Sequence, residues 1–252
     1  MRVKLSLLGN NVNGLRNKLD TLYNNIKYFR PSIITLQETK FKSKGMVKLN
    51  GYEIFEFIRS DGSGGGLLTA VDENLDPAEV ECADSGDTEI LIVQCRVGNF
   101  NLRIVNAYAP QEDETSGETV DFWTKIEEEV VAAKDNDCLI IVQLDGNAKV
   151  GKNVVKNDPH TVTSNGRLLL GLVNRQNLSI ANASDLCQGV ITRMRSTVVG
   201  VERSVIDYIF VCDRMNCLLE SMLIDEEQNH VMAKYAKMKG NIKVTKINNK
   251  IV

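Results

Sequence analysis

Histidine is scarce in this chain: His160 and His230 are the only two in 252 residues. Its six cysteines include no C-x-x-C pair, and the nearest two are Cys212 and Cys217. That scarcity argues against a zinc site, which needs clustered thiolates or imidazoles. No apolar run approaches membrane-spanning length. The opening "MRVKLSLLG" is too short in its apolar part for a signal peptide and reads as a strand. A nuclear or cytoplasmic location is therefore expected rather than secretion, and the sequons at Asn177 and Asn182 are incidental. No low-complexity segment, Pro/Ser-rich linker or internal repeat divides the chain. Residues 1–252 read as one domain, with a Lys-rich, solvated tail after about residue 238. Basic charge is not in excess either: 30 Lys and Arg face 33 Asp and Glu, for a net charge of −3. No global basic field marks a nucleic-acid binder, so any phosphate contact must come from local patches.

What is present is an interleaving of strand-like and helix-like segments. Strands are predicted at 3–8, 31–37, 52–58, 65–71 and 138–144, with a hairpin of 88–97 and 100–109 turning at Gly98-Asn99. Further strands are predicted at 178–182, 204–212 and 230–238. Apolar residues at Leu15, Leu19, Leu22, Ile26 and Phe29 have helical spacing, so 14–30 is a helix, closed by Pro31. Helices are also predicted at 118–134 and 165–176. Strands outnumber helices and several join as hairpins. This pattern favours two mixed sheets packed face to face with helices outside, over a simple parallel βαβ fold.

Several of these strands end on polar residues ill-suited to a core. The first runs into Asn11 and Asn13, and the second into Glu38. The 100–109 strand carries Tyr108, and 138–144 leads to Asp145 and Asn147. Residues i and i+2 at a strand tip face the same side, so Asp145 and Asn147 point out together. Asp207 sits inside the apolar "SVIDYIF", where a carboxylate is costly unless paired or hydrogen-bonded. Taken singly, each has a plain structural explanation: Asn11 or Asn13 as a helix cap, Glu38 as a loop acid, Asp145-Gly-Asn147 as a turn. Five strands behaving alike favour a shared site. Carboxylate and amide oxygens suit a hard cation that keeps water and phosphate in its sphere. A nearby Asp can deprotonate a water, while Asn and Tyr can donate to a phosphate.

The ordered segments "NNVNGLRNK", "PSIITLQETK", "IVNAYAP", "VQLDGNAKVG", "SNGRLL", "GVITRMRS" and "SVIDYIFV" resemble the endonuclease/exonuclease/phosphatase superfamily. The nearest likeness is to the endonuclease domain of non-LTR retrotransposons, and it runs from about Val3 to Lys237. The resemblance implies a four-layered α/β sandwich with the site at one end of two sheets. It implies Mg²⁺, with Mn²⁺ as an alternative, held by Glu38 with Asn11. Asp145 would position or deprotonate the attacking water, Asn147 and Tyr108 would contact the scissile phosphate, and Asp207 would lie close behind. DNA, the implied partner, would be met by Asn13, Arg16, Asn165, Thr192, Arg193 and Arg195, with Thr192 on a DNA-facing hairpin. A monomer is expected, accompanied by a reverse-transcriptase domain outside this chain.

Such proteins carry Ser/Thr-Asp-His before the last strand, and the matching place here reads Gln228-Asn229-His230. An amide at Asn229 can accept the imidazole N–H but brings no charge to stabilise an imidazolium. The resemblance therefore implies a DNA-nicking endonuclease that is weakened. Its alternative is an inactive, retrotransposon-derived remnant keeping the fold.

Overall fold

The computed structural model describes residues 2–60, 64–80, 88–111, 117–226 and 234–243. Strand β1 (Arg2–Asn11) leads through a 3-10 turn (Arg16–Lys18) into α1 (Leu19–Phe29) and β2 (Ile33–Gln37). Next come β3 (Tyr52–Phe57), β4 (Leu67–Asp72), β5 (Ala78–Glu79), β6 (Ile90–Val97) and β7 (Phe100–Tyr108). The middle of the chain forms α2 (Gly117–Asp135), β8 (Leu139–Asp145), α3 (Ser164–Arg175) and β9 (Leu178–Ile180). It closes with β10 (Cys187–Gln188), β11 (Arg193–Thr197), β12 (Gly200–Ser204), β13 (Asp207–Cys212), α4 (Asp213–Asn216), β14 (Leu219–Ile224) and β15 (Lys234–Lys243).

The first sheet has the order β10-β14-β15-β1-β2-β4-β3, and the second β5-β6-β7-β8-β13-β9. Strands β11 and β12 pair as a separate hairpin. Both sheets are mixed: β1 runs parallel to β2 and β7 parallel to β8, while most other neighbours are antiparallel. Residue alternation explains the layering. In β8, Leu139 and Ile141 join the core between the sheets, whereas Ile140, Val142 and Leu144 pack outward under α2 and α3. Covered on both faces, this strand reads as a nearly unbroken apolar run. Helix α1 turns Leu22 onto Leu8, Ile34, Leu36, Leu68 and Ala70 on the outer face of the first sheet. The result is four layers, helix-sheet-sheet-helix, as expected from the sequence.

Local signals place the helices. Arg30 closes α1 in the left-handed conformation, its N–H bonded to Ile26 O, just before Pro31. Thr163 caps α3, its side chain accepting from Gly166 N. The structure departs from expectation at the C-terminal end. Strand β14 was not anticipated, because "LESMLI" interrupts its apolar pattern with Glu220 and Ser221. The last strand is seen at Lys234–Lys243, paired with both β1 and β14; it overlaps the expected 230–238, of which 230–233 lie outside the described residues. No helix among the described residues is long and apolar enough to cross a membrane.

Candidate active site

At one end of both sheets the inter-sheet face turns polar. Along that face β8 reads Leu139, Ile141, Gln143, Asp145, from core to rim. Parallel pairing sets Tyr108 beside Asp145, and antiparallel pairing sets Asp207 on its other side. From the facing sheet, β1 ends at Asn11 and β2 delivers Glu38. One amide joins the two halves: Asn11 Nδ2 donates to Glu38 Oε1 and to Asp145 Oδ2, each at 2.7 Å. Its Oδ1 accepts from Asn13 N at 3.0 Å, so the three contacts together fix which end of the amide faces the acids. Asn11 is thus not a helix cap. In this arrangement its NH₂ group orients two carboxylates, while its oxygen is turned toward Asn13.

The loops that carry the site are held in unusual backbone conformations. Asn13, Glu38, Lys40 and Asn147 all have positive φ, between 41° and 56°. Such residues persist only where surrounding bonds over-determine them. Here Val12, Gly14 and Leu15 donate their N–H groups to Gln37 O, Glu38 O and Thr39 O, zipping the two strand exits together. Thr39 N and Lys40 N in turn bond Gly66 O and Gly65 O. A side chain could not be added at Gly66, where φ is +88° and a Cβ would meet Thr39 Oγ1 at 2.8 Å.

Asp145 is nearly fully buried at 3% exposure, and its Oδ1 accepts from Asn147 N at 3.1 Å. Asn147 Nδ2 donates to Ala109 O at 2.8 Å, tying the turn to the end of β7. The Tyr108 phenol is pushed well above its ordinary range. Burial is the largest cause, followed by the charges of Glu38 and Asp145; a hydrogen bond with Asn147 opposes the shift and one with Glu38 adds to it. These causes favour the neutral, hydrogen-donating phenol. Lys40 Nζ lies 3.2 Å from Glu38 Oε2 and donates to Asn13 Oδ1, a contact the sequence reading did not single out.

The remaining expected residues divide sharply. Arg16, Arg193 and Arg195 are exposed, the last two on β11. Asn13 is also exposed. Two residues do not fit the expectation of a DNA contact. Asn165 is fully buried; it accepts from Trp123 Nε1 at 3.0 Å and donates to Pro110 O and Asn147 O. It braces the Asn147 turn from below. Thr192 is 9% exposed, and its hydroxyl accepts from Ile206 N and Asp207 N, clasping the hairpin base to the start of β13. Asp207 is buried at 3%, and its carbonyl accepts from Asn182 Nδ2. Gln228, Asn229 and His230 lie outside the described residues. His160 bonds Arg203 O through Nε2 at 2.9 Å, joining the 151–162 loop to the hairpin.

Among the described residues no three His, Cys, Asp or Glu side chains gather as a closed metal cage. Glu38 and Asp145 instead converge on one neutral amide, and Glu38 keeps a 20% exposed side chain. That oxygen-only, part-open donor set fits a hard cation that completes its sphere with water and phosphate.

Two mixed sheets in a four-layered sandwich define a class of architecture: the endonuclease/exonuclease/phosphatase fold. In particular, the chain is similar to the endonuclease domain of TRAS1, a telomere-specific non-LTR retrotransposon. The TM-score is 0.70 at 18% identity, over 93% of this chain and 98% of that one. It is also similar to the Xenopus laevis APE2 catalytic domain, with a TM-score of 0.74 and 17% identity over 96% and 94%. The AP endonuclease LMAP from Leishmania major gives 0.74 and 14% over 94% and 88%. At these identities the likeness is one of fold. No protein-family model matches the chain, and no curated protein matches it.

Proposed function

We propose that this domain is a divalent-metal-dependent endonuclease that hydrolyses a DNA phosphodiester. The observation that carries this reading is the single Asn11 amide spanning Glu38 and Asp145, with the neutral Tyr108 hydroxyl beside them. Glu38, with Asp145 at its edge, would hold Mg²⁺ or Mn²⁺, which supplies charge neutralisation at the phosphate when bound. Asp145 accepts the proton of an attacking water. The Asn147 N–H holds one of its oxygens in place, so the other is presented in a fixed direction. Tyr108, its phenol favoured in the neutral form, donates to a phosphate oxygen. Arg16, Arg193 and Arg195 offer exposed guanidinium groups to the phosphate backbone. The TRAS1 domain, an endonuclease of a retrotransposon, supports DNA as the substrate.

A supercoiled plasmid with Mg²⁺ or Mn²⁺ tests this: nicking above an Asp145→Ala control is expected, and none would refute it. A second reading, an inactive remnant, is favoured by Asn229 where an acid stands in the resembling proteins. Asp→Asn in a hydrolase triad costs about 10⁴ in rate. If His230 is the phosphate-facing imidazole, Asn229→Asp raises nicking and His230→Ala abolishes it. A wild-type chain that nicks fully, and is indifferent to both changes, removes His230 from the site.

A further inference from the structure

The site is assembled from two sheets that no disulfide among the described residues ties together. Asn11 and Glu38 come from the first sheet; Tyr108, Asp145 and Asn147 come from the second. A purely apolar slab between the sheets would give cohesion without direction, because the hydrophobic effect is non-directional. One register step beneath the site, however, the slab is polar. Thr35, Gln37, Asn106 and Gln143 are all fully buried there.

These side chains bond across the gap. Gln37 Nε2 of β2 donates to Asn106 Oδ1 of β7 at 2.7 Å. Asn106 Nδ2 returns to the first sheet at Leu68 O, 2.9 Å, and Thr69 Oγ1, 3.2 Å. Thr35 Oγ1 donates to Gln143 Oε1 of β8 at 2.5 Å. Gln143 also runs so close over β1 that a Cβ at Gly9 would lie 1.4 Å from its Nε2. Each crossing point shares a strand face with a site residue two positions on: Gly9 with Asn11, Asn106 with Tyr108, Gln143 with Asp145. Gln37 immediately precedes Glu38. Gln143 Nε2 and Gln37 Oε1 are buried without a hydrogen-bond partner among the described residues.

We infer that Gln37, Asn106 and Gln143, with Gly9 making room, are positioning residues: a cross-sheet lock that sets the lateral register of the two half-sites. The inference rests on reading the cluster as a hydrolytic site. Replacing both members of a buried polar pair by apolar groups of similar shape is close to neutral for folding. A misplacement of about 1 Å at a reacting centre, in contrast, costs about 10²-fold in rate. Stability and turnover are therefore expected to separate.

The test compares wild type, the Gln37→Leu/Asn106→Leu pair, Gly9→Ala and Gly9→Ala/Gln143→Ala, with Asp145→Ala as background. Thermal unfolding, plasmid-nicking kcat and KM, and Mn²⁺ affinity by electron paramagnetic resonance are measured on each. The Leu pair takes a donor from Leu68 O and Thr69 Oγ1, a cost of about 1–3 kcal/mol, and is expected to unfold about 2–12 °C below wild type. Its kcat falls about 10- to 100-fold with KM for DNA unchanged, and Mn²⁺ binding weakens about tenfold. Gly9→Ala behaves likewise, and removing the Gln143 amide restores part of the loss. A Leu pair with wild-type kcat and Mn²⁺ affinity overturns the lock, as does a loss of activity that only tracks a loss of folding. Wild type that binds Mn²⁺ but nicks no better than background refutes the hydrolytic reading alone, and the affinity series then decides the lock. Wild type that does neither overturns both.

Discussion

Replacing Asn11 by Asp tests the geometry of the site directly. The Asn11 Nδ2 atom stands 2.7 Å from Glu38 Oε1 and 2.7 Å from Asp145 Oδ2. An Asp at this place puts a third acid oxygen where a donor stood, with its other oxygen still able to accept from Asn13 N. At an effective dielectric near 20, unit charges about 4 Å apart repel by about 4 kcal/mol. Two such contacts bound the penalty at about 8 kcal/mol; side-chain relaxation and the partial exposure of Glu38 reduce it to about 3 kcal/mol. For a domain of this size that is a fall of about 6–12 °C in Tm at pH 7 in chelator. A cation binding among the three acids reverses the change. At about 100 times its Kd it returns about 2.7 kcal/mol, so Mn²⁺ should raise the variant's Tm more than that of wild type. Differential scanning fluorimetry with and without Mn²⁺ reads both effects. A variant as stable as wild type in chelator means that Glu38 and Asp145 do not converge on residue 11. A loss that Mn²⁺ fails to reverse means that they do not hold a cation there.

Other consequences are more local. Asn165→Leu strands Trp123 Nε1 and frees the Asn147 turn, costing about 1–3 kcal/mol in denaturant unfolding. As Trp123 is the chain's single tryptophan, its emission should shift. Arg193→Ala and Arg195→Ala should each lower the slope of log DNA affinity against log salt by about 1, the signature of a lost phosphate contact. Glu127 is held down to about 2, chiefly by hydrogen bonds from Arg175 and then Gln176. A carboxyl depressed in the folded state stabilises above its ordinary value near 4.3, and that stability is lost as pH falls toward 2. Glu127→Gln should therefore lower Tm slightly at neutral pH and leave it unchanged near pH 2, flattening the acid limb by that same small amount because the pair is at the surface.

The sequence made the layered fold legible where burial on both faces leaves an apolar run, as in Leu139–Val142. It made the site legible where a polar residue interrupts such a run near its end, as at Asp145 and Asp207. Where an element's pattern is mixed, it was not legible. In β14, Glu220 and Ser221 break the alternation; the β11–β12 hairpin was expected only through the resemblance, since its exposed Val198 and Val199 signal no core. Asn165 and Thr192, expected from the resemblance to meet DNA, are instead buried. Both are polar and flank the site, yet each satisfies backbone or indole groups underneath it, a role that depends on which way the side chain points.

The same physical logic accounts for the least conspicuous residues. Gln143 lies two positions before Asp145, inside a strand otherwise apolar, and would pass from sequence as a tolerated substitution. Its cost becomes sensible only when the facing sheet is considered. A site made of two halves needs its acids aligned across a gap that apolar packing cannot align. Directional bonds supply that alignment, but they are strong only where water is excluded and their partners are close. The polar layer therefore has to lie inside the slab, one step below the rim, rather than at the open end where solvent would weaken it. Gly9 follows from the same requirement. An amide long enough to cross from β8 needs space against β1, and glycine alone leaves it.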